Sequence, residues 1–270
     1  MPAREPDPRD VLVLPPPAPD AVVRYGPHDD HVADVRLPVD GPVGPLVVVI
    51  HGGFWRAEYD RSHTGHLAAA LVAEGYPVAQ IEYRRTGPGS PGGWPATFDD
   101  VLAGVDALPG LVAATARSLG RPSLPDGPPL LVGHSAGGHL ALWYAAHAPA
   151  VPAGVLALAP VADLVEAHRL DLDEGAVSAL LGGGPADRAA AYAAADPLPR
   201  RSLRLRTVII HGTKDVQVPI DLSRRFVAAA GALDNEIALW ELPEVGHFEL
   251  IDPRSMAWRQ VTEALRSLHS

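Results

Sequence analysis

Residues 130–141 read LLVGHSAGGHLA: an apolar run, a serine flanked by glycines, then a small apolar stretch that favours helix. No other segment constrains the fold as tightly. If a strand ends at Val132 and a helix starts at Ala136, only Gly133, His134 and Ser135 remain to turn the chain. Residues with bulkier side chains at Gly133 and Gly137 would collide with neighbouring backbone in so sharp a turn. The turn also leaves the Ser135 hydroxyl exposed at the strand end, with free N–H groups and the positive end of a helix directed at it.

The same strand-then-helix rhythm runs along most of the chain. Apolar, β-branched patterns predict strands at 22–25, 32–37, 46–50, 78–83, 130–132, 155–159, 207–210 and 237–241. Helical spacing predicts helices at 63–74, 98–119, 136–147, 222–230 and 256–268. The first two strands read as an antiparallel opening pair. Residues 46–50, LVVVI, carry no polar position, the pattern of a strand buried on both faces of a parallel sheet. Alternation of this kind predicts an α/β class with a mostly parallel sheet and helices on both faces. Residues 86–95, TGPGSPGGWP, read as a long Gly/Pro loop without regular structure. Residues 1–20 are polar and Pro-rich, and read as an extended surface lead-in to one catalytic domain over 21–270. Residues 161–200 break the rhythm with an Ala-rich helix, glycines 182–184 and DPLP, and are expected to form a small mobile lid.

Composition narrows the function classes. A chain of 270 residues suits one large domain with a core that needs no staples. It has no cysteine, which excludes disulfides, a thiolate nucleophile and Cys-based zinc sites. A formal charge of −10 argues against nucleic acid or an anionic membrane as partner. Near the N-terminus the only apolar run is VLVL, cut off by prolines, which is no signal peptide. The expectation is a cytoplasmic enzyme without a membrane span; a homodimer is compatible with it.

A serine on such a turn needs a base and an acid. In a strand–elbow–helix framework the order along the chain is serine, acid, histidine. Of the 12 histidines, only His247 and His269 follow the best acid, and His269 is penultimate. His247, in EVGHF after the 237–241 strand, is therefore the expected base. Asp215, in HGTKD directly after the 207–210 strand, is the expected acid, with Asp163 after the preceding strand as its competitor. Asp215 would fix the imidazole tautomer and stabilise imidazolium. Residues 51–55, HGGFW, follow the buried 46–50 strand, where glycine lets backbone donors approach a developing oxyanion. The Gly53 or Phe54 N–H and the Ala136 N–H are the expected donors, with His51 holding the loop. Trp55 and Trp94 are candidates for an aromatic substrate pocket, although core packing suits Trp55 equally. Arg84 and Arg85 either clamp a substrate carboxylate or pair with acids. His63, His66 and the His28–His31 cluster lack metal-ligand spacing and read as solvated surface.

With these pieces in place, HGGFW resembles the H-G-G-x-W form of kynurenine formamidases, also called arylformamidases. GHSAGGHLA is similar to those enzymes and to bacterial feruloyl-esterase-like hydrolases, and HGTKD and GHFELID are similar to their acid and base segments. The likeness covers about residues 45–252. EYRR departs from the Y-R-L-A-P run of hormone-sensitive-lipase-like esterases. The resemblance implies an α/β-hydrolase fold with an eight-stranded sheet. It implies hydrolysis of a small-molecule ester or amide, either a small acyl ester or an aryl formamide, through an acyl-enzyme, without metal or organic cofactor. A generic short-chain carboxylesterase or feruloyl-type esterase is the alternative. All three triad positions are filled, unlike in a non-catalytic ligand-binding member of the fold.

Overall fold

The computed structural model describes residues 7, 9–88, 90–198, 205–233 and 236–269. Its main sheet has eight strands: β1 (Ala21–Arg24), β2 (Val32–Arg36), β3 (Val47–Ile50), β4 (Val78–Ile81), β5 (Leu130–His134), β6 (Gly154–Leu158), β7 (Thr207–Gly212) and β8 (Ile237–Leu242). Their spatial order is β1-β2-β4-β3-β5-β6-β7-β8. β1 and β2 pair antiparallel, as do β2 and β4. The remaining pairs are parallel. Each predicted strand is present, with ends shifted by one or two residues.

Strand periodicity of two explains how these runs bury both faces. Val48, Ile50, Leu131, Ala157 and Ile209 point into one core, shared with α3 (Ala96–Ser118), α4 (Ala136–His147) and α8 (Asp221–Gly231). Val47, Val49, Leu130, Val132, Leu156 and Ile210 point into the other, shared with α2 (Gly65–Ala73) and α9 (Trp258–Ser267). α9 shows why such a helix lies flat on the sheet: Val261, Ala264, Leu265 and Leu268 are buried at helical spacing on one stripe.

The chain passes from β3 outward to β4, then crosses back to β5 on the other side of β3. Crevices beyond strand carboxyl ends at such a reversal are where open α/β sheets place their ligands. Gly52 follows β3 and Ser135 follows β5, so both lie at this crevice.

Three expectations need correction. The lead-in is not simply extended surface chain: α1 (Asp10–Val13) forms within it, and Val11 is buried against the second core. Winding DVLV into one helical turn seats Val11 on that core. Residues 1–6 and 8 of that lead-in lie outside the described residues. The Gly/Pro loop holds a small antiparallel pair, Thr86–Gly87 with Ser90–Pro91. Finally, the lid expected over 161–200 is, across the described residues 161–198, a packed helical cap. These residues form α5 (Leu164–Arg169), α6 (Ala176–Leu181) and α7 (Ala189–Ala195), whose Leu164, Ala167, Val177, Leu180 and Tyr192 join the first core. Residues 199 and 200 of the expected lid lie outside the described residues. This cap explains why α4 is apolar nearly all round. The sheet covers one side of it, and on the other His139 Nε2 and Trp143 Nε1 donate to the α7 carbonyls of Ala195 (2.9 Å) and Ala194 (2.8 Å). Arg56 ties the cap down, bonding the Asp173 carboxylate and the Glu174 carbonyl at 3.2 Å.

Candidate active site

Ser135 sits between β5 and α4 with φ +56° and ψ −118°, a conformation that side chains rarely adopt. The flanking glycines are there for space. A Cβ on Gly133 would lie 2.2 Å from the Gly137 carbonyl oxygen, and one on Gly137 would lie 2.0 Å from that of Ile50. The turn is held by Ser135 N donating to Leu158 O at 2.8 Å. The helix starts at Ala136 as expected, but the strand runs on to His134, two residues past its expected end at Val132, and leaves Ser135 alone at the turn.

Asp215 stands on the turn after β7. Its Oδ1 accepts the backbone N–H groups of Gln217 and Val218, both at 2.8 Å. Its Oδ2 lies 2.6 Å from His247 Nδ1 and 3.3 Å from His211 Nε2. Burial opposes the ionised form, but the hydrogen bonds from His211 and His247 outweigh it and hold the carboxyl well below the usual range. An ionised carboxylate only accepts, so His247 Nδ1 carries the proton and Nε2 keeps the lone pair. His134 braces the loop from below: its Nε2 donates to His247 O at 3.1 Å, with the ring centroids 4.5 Å apart. Asp163, the competing acid, is elsewhere. It caps α5 by accepting Glu166 N at 2.9 Å and pairs with Arg225 at 2.7 Å. His269 bonds Tyr76 Oη.

Ser135 and His247 line one cavity of ≈ 60 Å³. Among the described residues no hydrogen bond joins the Ser135 hydroxyl to His247, a looseness common before substrate binds. Gly53 and Phe54 line the same cavity. Gly53, Phe54 and Trp55 run through three successive left-handed conformations, with φ +97°, +47° and +58°. Among the described residues the N–H groups of Gly53, Phe54 and Ala136 donate to no protein acceptor. His51 holds this loop as expected, with Nδ1 at 2.8 Å from Gly52 O and Nε2 at 2.9 Å from Glu82 Oε1.

The aromatic pocket is not where the sequence placed it. Trp55 is fully buried, edge-on to His139 at 5.1 Å, and belongs to the core. With φ positive at Phe54 and Trp55, only the former reaches the cavity. Trp94 packs on Phe98 and lines a separate groove with Leu180 and Arg188. Arg84 and Arg85 are both engaged, the first with Asp100 at 2.5 Å, the second with Asp30 (3.4 Å) and Glu82 (3.3 Å). Sequence reasoning missed Leu12, Tyr59, His63, Asp173, Gln217 and Phe248, which complete the cavity wall. Gln217 and Phe248 adjoin Asp215 and His247, and Tyr59 and His63 follow the HGGFW loop closely in sequence, so proximity along the chain was their available signal. Nothing local marks Leu12 or Asp173.

Three buried histidines predict an acid-sensitive fold. Burial pushes His63 down to about 3 and His139 to about 4, and holds His134 well below its ordinary value. The unfolded chain protonates these rings below about pH 6.5 while the native state does not. Stability should therefore be unaffected above that pH and fall as pH drops through 6 toward 4, by up to about 1.4 kcal/mol per pH unit for each ring. Asp215 and Glu82, both held low, add a further loss below about pH 4 as they protonate. Urea midpoints at pH 7.5 and 5.0 test this; equal midpoints would contradict it.

Strand order, elbow and the loop after β3 together define the α/β-hydrolase fold. The BD-FAE family model matches residues 34–229, well over half of the chain, and the protein belongs to that family. The carbohydrate esterase from gut microbiota, in truncated form, aligns with TM-score 0.75 and 17% identity over 94% of this chain and 99% of that one. Esterase B from Lactobacillus rhamnosis (HN001) aligns with TM-score 0.73 and 19% identity over 94% and 87%. A bifunctional GH43-CE protein from Bacteroides eggerthii aligns with TM-score 0.71 and 22% identity over 90% of this chain, which spans only 37% of that protein. The curated proteins include no match. Among the described residues no three His, Asp or Glu side chains are grouped to hold a metal, and no helix is long and apolar enough to cross a membrane.

Proposed function

We propose that this protein is a serine esterase that cleaves short acyl esters through an acyl-enzyme. The observation that carries this reading is that Ser135 and a His247 oriented by Asp215 line one small cavity with the Gly53–Phe54 loop. Ser135 Oγ attacks the ester carbonyl carbon while His247 Nε2 takes its proton. The carbonyl oxygen becomes an oxyanion, stabilised by the N–H groups of Ala136 and of Gly53 or Phe54. Collapse expels the alcohol, which receives the proton from His247. Water then attacks the acyl-enzyme by the same route, releasing the acid and restoring Ser135. The structural neighbours named as a carbohydrate esterase and Esterase B support ester substrates. An aryl formamide substrate of kynurenine type carries an amino-acid carboxylate, and the two arginines that the sequence offered for it, Arg84 and Arg85, are engaged by acids and do not line the cavity. The short-chain ester is thus the better-supported reading.

The test is a panel of p-nitrophenyl esters, a feruloyl ester and an aryl formamide, ranked by kcat/KM. The expected order puts acetate to butyrate first, with a fall on the order of tenfold per steric step of about 1.4 kcal/mol beyond roughly four carbons. A rise through dodecanoate would point to an extended apolar groove, since each bound methylene contributes about 0.8 kcal/mol. Aryl formamide ranked first would restore the formamidase reading.

A further inference from the structure

We propose that Asp173 sets the charge selectivity of the Ser135 cavity: the esters it cleaves are neutral or cationic, and esters with a carboxylate beside the scissile bond are rejected. The proposal deepens the esterase reading and rests on it.

Asp173 belongs to the cap, in the turn 171–175 between α5 and α6. Four residues of that turn, Asp171, Asp173, Glu174 and Gly175, have φ of +51°, +49°, +49° and +79°. Left-handed backbone is uncommon for residues with side chains, and it gathers at functional sites. The turn brings Asp173 to the cavity wall beside Gly53, Phe54 and Ser135. Arg56, which directly follows the left-handed run Gly53–Trp55, holds it there. Its guanidinium bonds the Asp173 carboxylate and the carbonyls of Asp173 and Glu174.

Among the described residues lining the cavity, Asp173 is the only acid, and none is lysine or arginine. Arg56 engages one carboxylate oxygen, Oδ2; Oδ1 has no hydrogen-bond partner among the described residues, and the side chain is 37% exposed. Asp171 and Glu174 add two acids on the same turn, and among the described residues Arg56 is the only cation paired with it. A cleft lined by one sign of charge focuses its field on the ligand. This selection needs no direct contact, because the charge acts across the cavity within a Debye length. An ammonium on the substrate is attracted and a carboxylate is repelled, while Leu12, Phe54 and Phe248 receive neutral groups.

Isosteric ester pairs test this. On the alcohol side, acetylcholine is set against 3,3-dimethylbutyl acetate, and acetoxyacetate against isobutyl acetate. On the acyl side, betaine ethyl ester is set against ethyl 3,3-dimethylbutanoate, and monoethyl malonate against ethyl 3-methylbutanoate. Members of a pair differ in intrinsic reactivity, but equally for every variant, so the quantity read is the change in their kcat/KM ratio. Asp173→Asn should lower the cation-to-neutral ratio and raise the anion-to-neutral ratio, each by on the order of fivefold, on at least one side of the ester. Both changes should shrink in about 0.5 M sodium chloride. Asparagine tolerates left-handed backbone as aspartate does, so the turn is kept. Because Asp173→Asn also frees Arg56, the comparison is repeated with Arg56→Gln in both proteins. Ratios that do not move on either side, that move the opposite way, or that move only when Arg56 is present would overturn the proposal. Phosphonate labelling of Ser135 shows that each variant is folded. Should Asp173→Asn not fold, Asp173→Ser and the salt dependence of the wild-type ratios decide. Failure of wild type to hydrolyse any of the eight esters would instead remove the esterase reading itself.

Discussion

Ser135→Ala is expected to lower kcat by on the order of 10⁶ while leaving the fold intact, because a triad stripped of its nucleophile loses essentially all the chemistry the other members assist. Alanine keeps the Cβ and the left-handed backbone at this turn, so the variant should unfold at nearly the wild-type urea concentration. Ser135→Gly should be equally inactive yet about 1 kcal/mol more stable, since glycine accepts φ +56° without steric cost. Steady-state turnover of p-nitrophenyl acetate and stoichiometric labelling by an organophosphonate measure the first effect. A folded alanine variant with more than about a hundredth of the activity, or a phosphonate adduct mapped to another serine, contradicts the assignment.

Asp215→Asn should lower kcat by on the order of 10⁴. The asparagine side chain fits the same space, and its carbonyl can still accept the Gln217 and Val218 N–H groups. Its amide then presents a donor to His247 Nδ1, which must become the acceptor, and the lone pair at Nε2 is lost. Asp163→Asn should be nearly silent in kcat, because its oxygens serve α5 and Arg225 and not the cavity. Both variants should be assayed under saturating ester at pH 8. The opposite pattern, with Asp163→Asn inactive, would place the acid at the end of β6.

Much of the architecture was legible because its causes are local. An all-apolar β-branched run such as 46–50 can only satisfy itself inside a sheet, and period-two alternation then assigns Val47 and Val48 to opposite cores. The turn at Ser135 was local in part: Gly133 is crowded by the Gly137 backbone just beyond the turn, whereas Gly137 is crowded by the Ile50 carbonyl of the neighbouring strand. Ser135, Asp215 and His247 could be singled out from many candidates because the order of strands limits which loops reach the same crevice. The structure brings those three residues together at that edge of the sheet.

What lines the cavity was decided only by the tertiary structure. Phe54 and Trp55 are neighbours in sequence with similar chemistry, yet one faces the cavity and the other fills the core, because three successive left-handed residues rotate the loop. Leu12 reaches the site from a segment that composition marked as surface chain, and Asp173 reaches it from the cap, held there by Arg56. Arg84 and Arg85 are taken out of service by Asp100, Asp30 and Glu82, and of these Asp100 and Asp30 come near them only in the folded chain. His63 read as a surface residue because helical spacing reports which side of a helix is apolar, not what covers the polar side. By itself, then, the sequence determined the strands, the elbow and the order of the reactive residues, through short-range sterics and periodicity. The shape and polarity of the cavity depend on which distant side chains pack against it and pair with one another, and that is a property of the assembled fold.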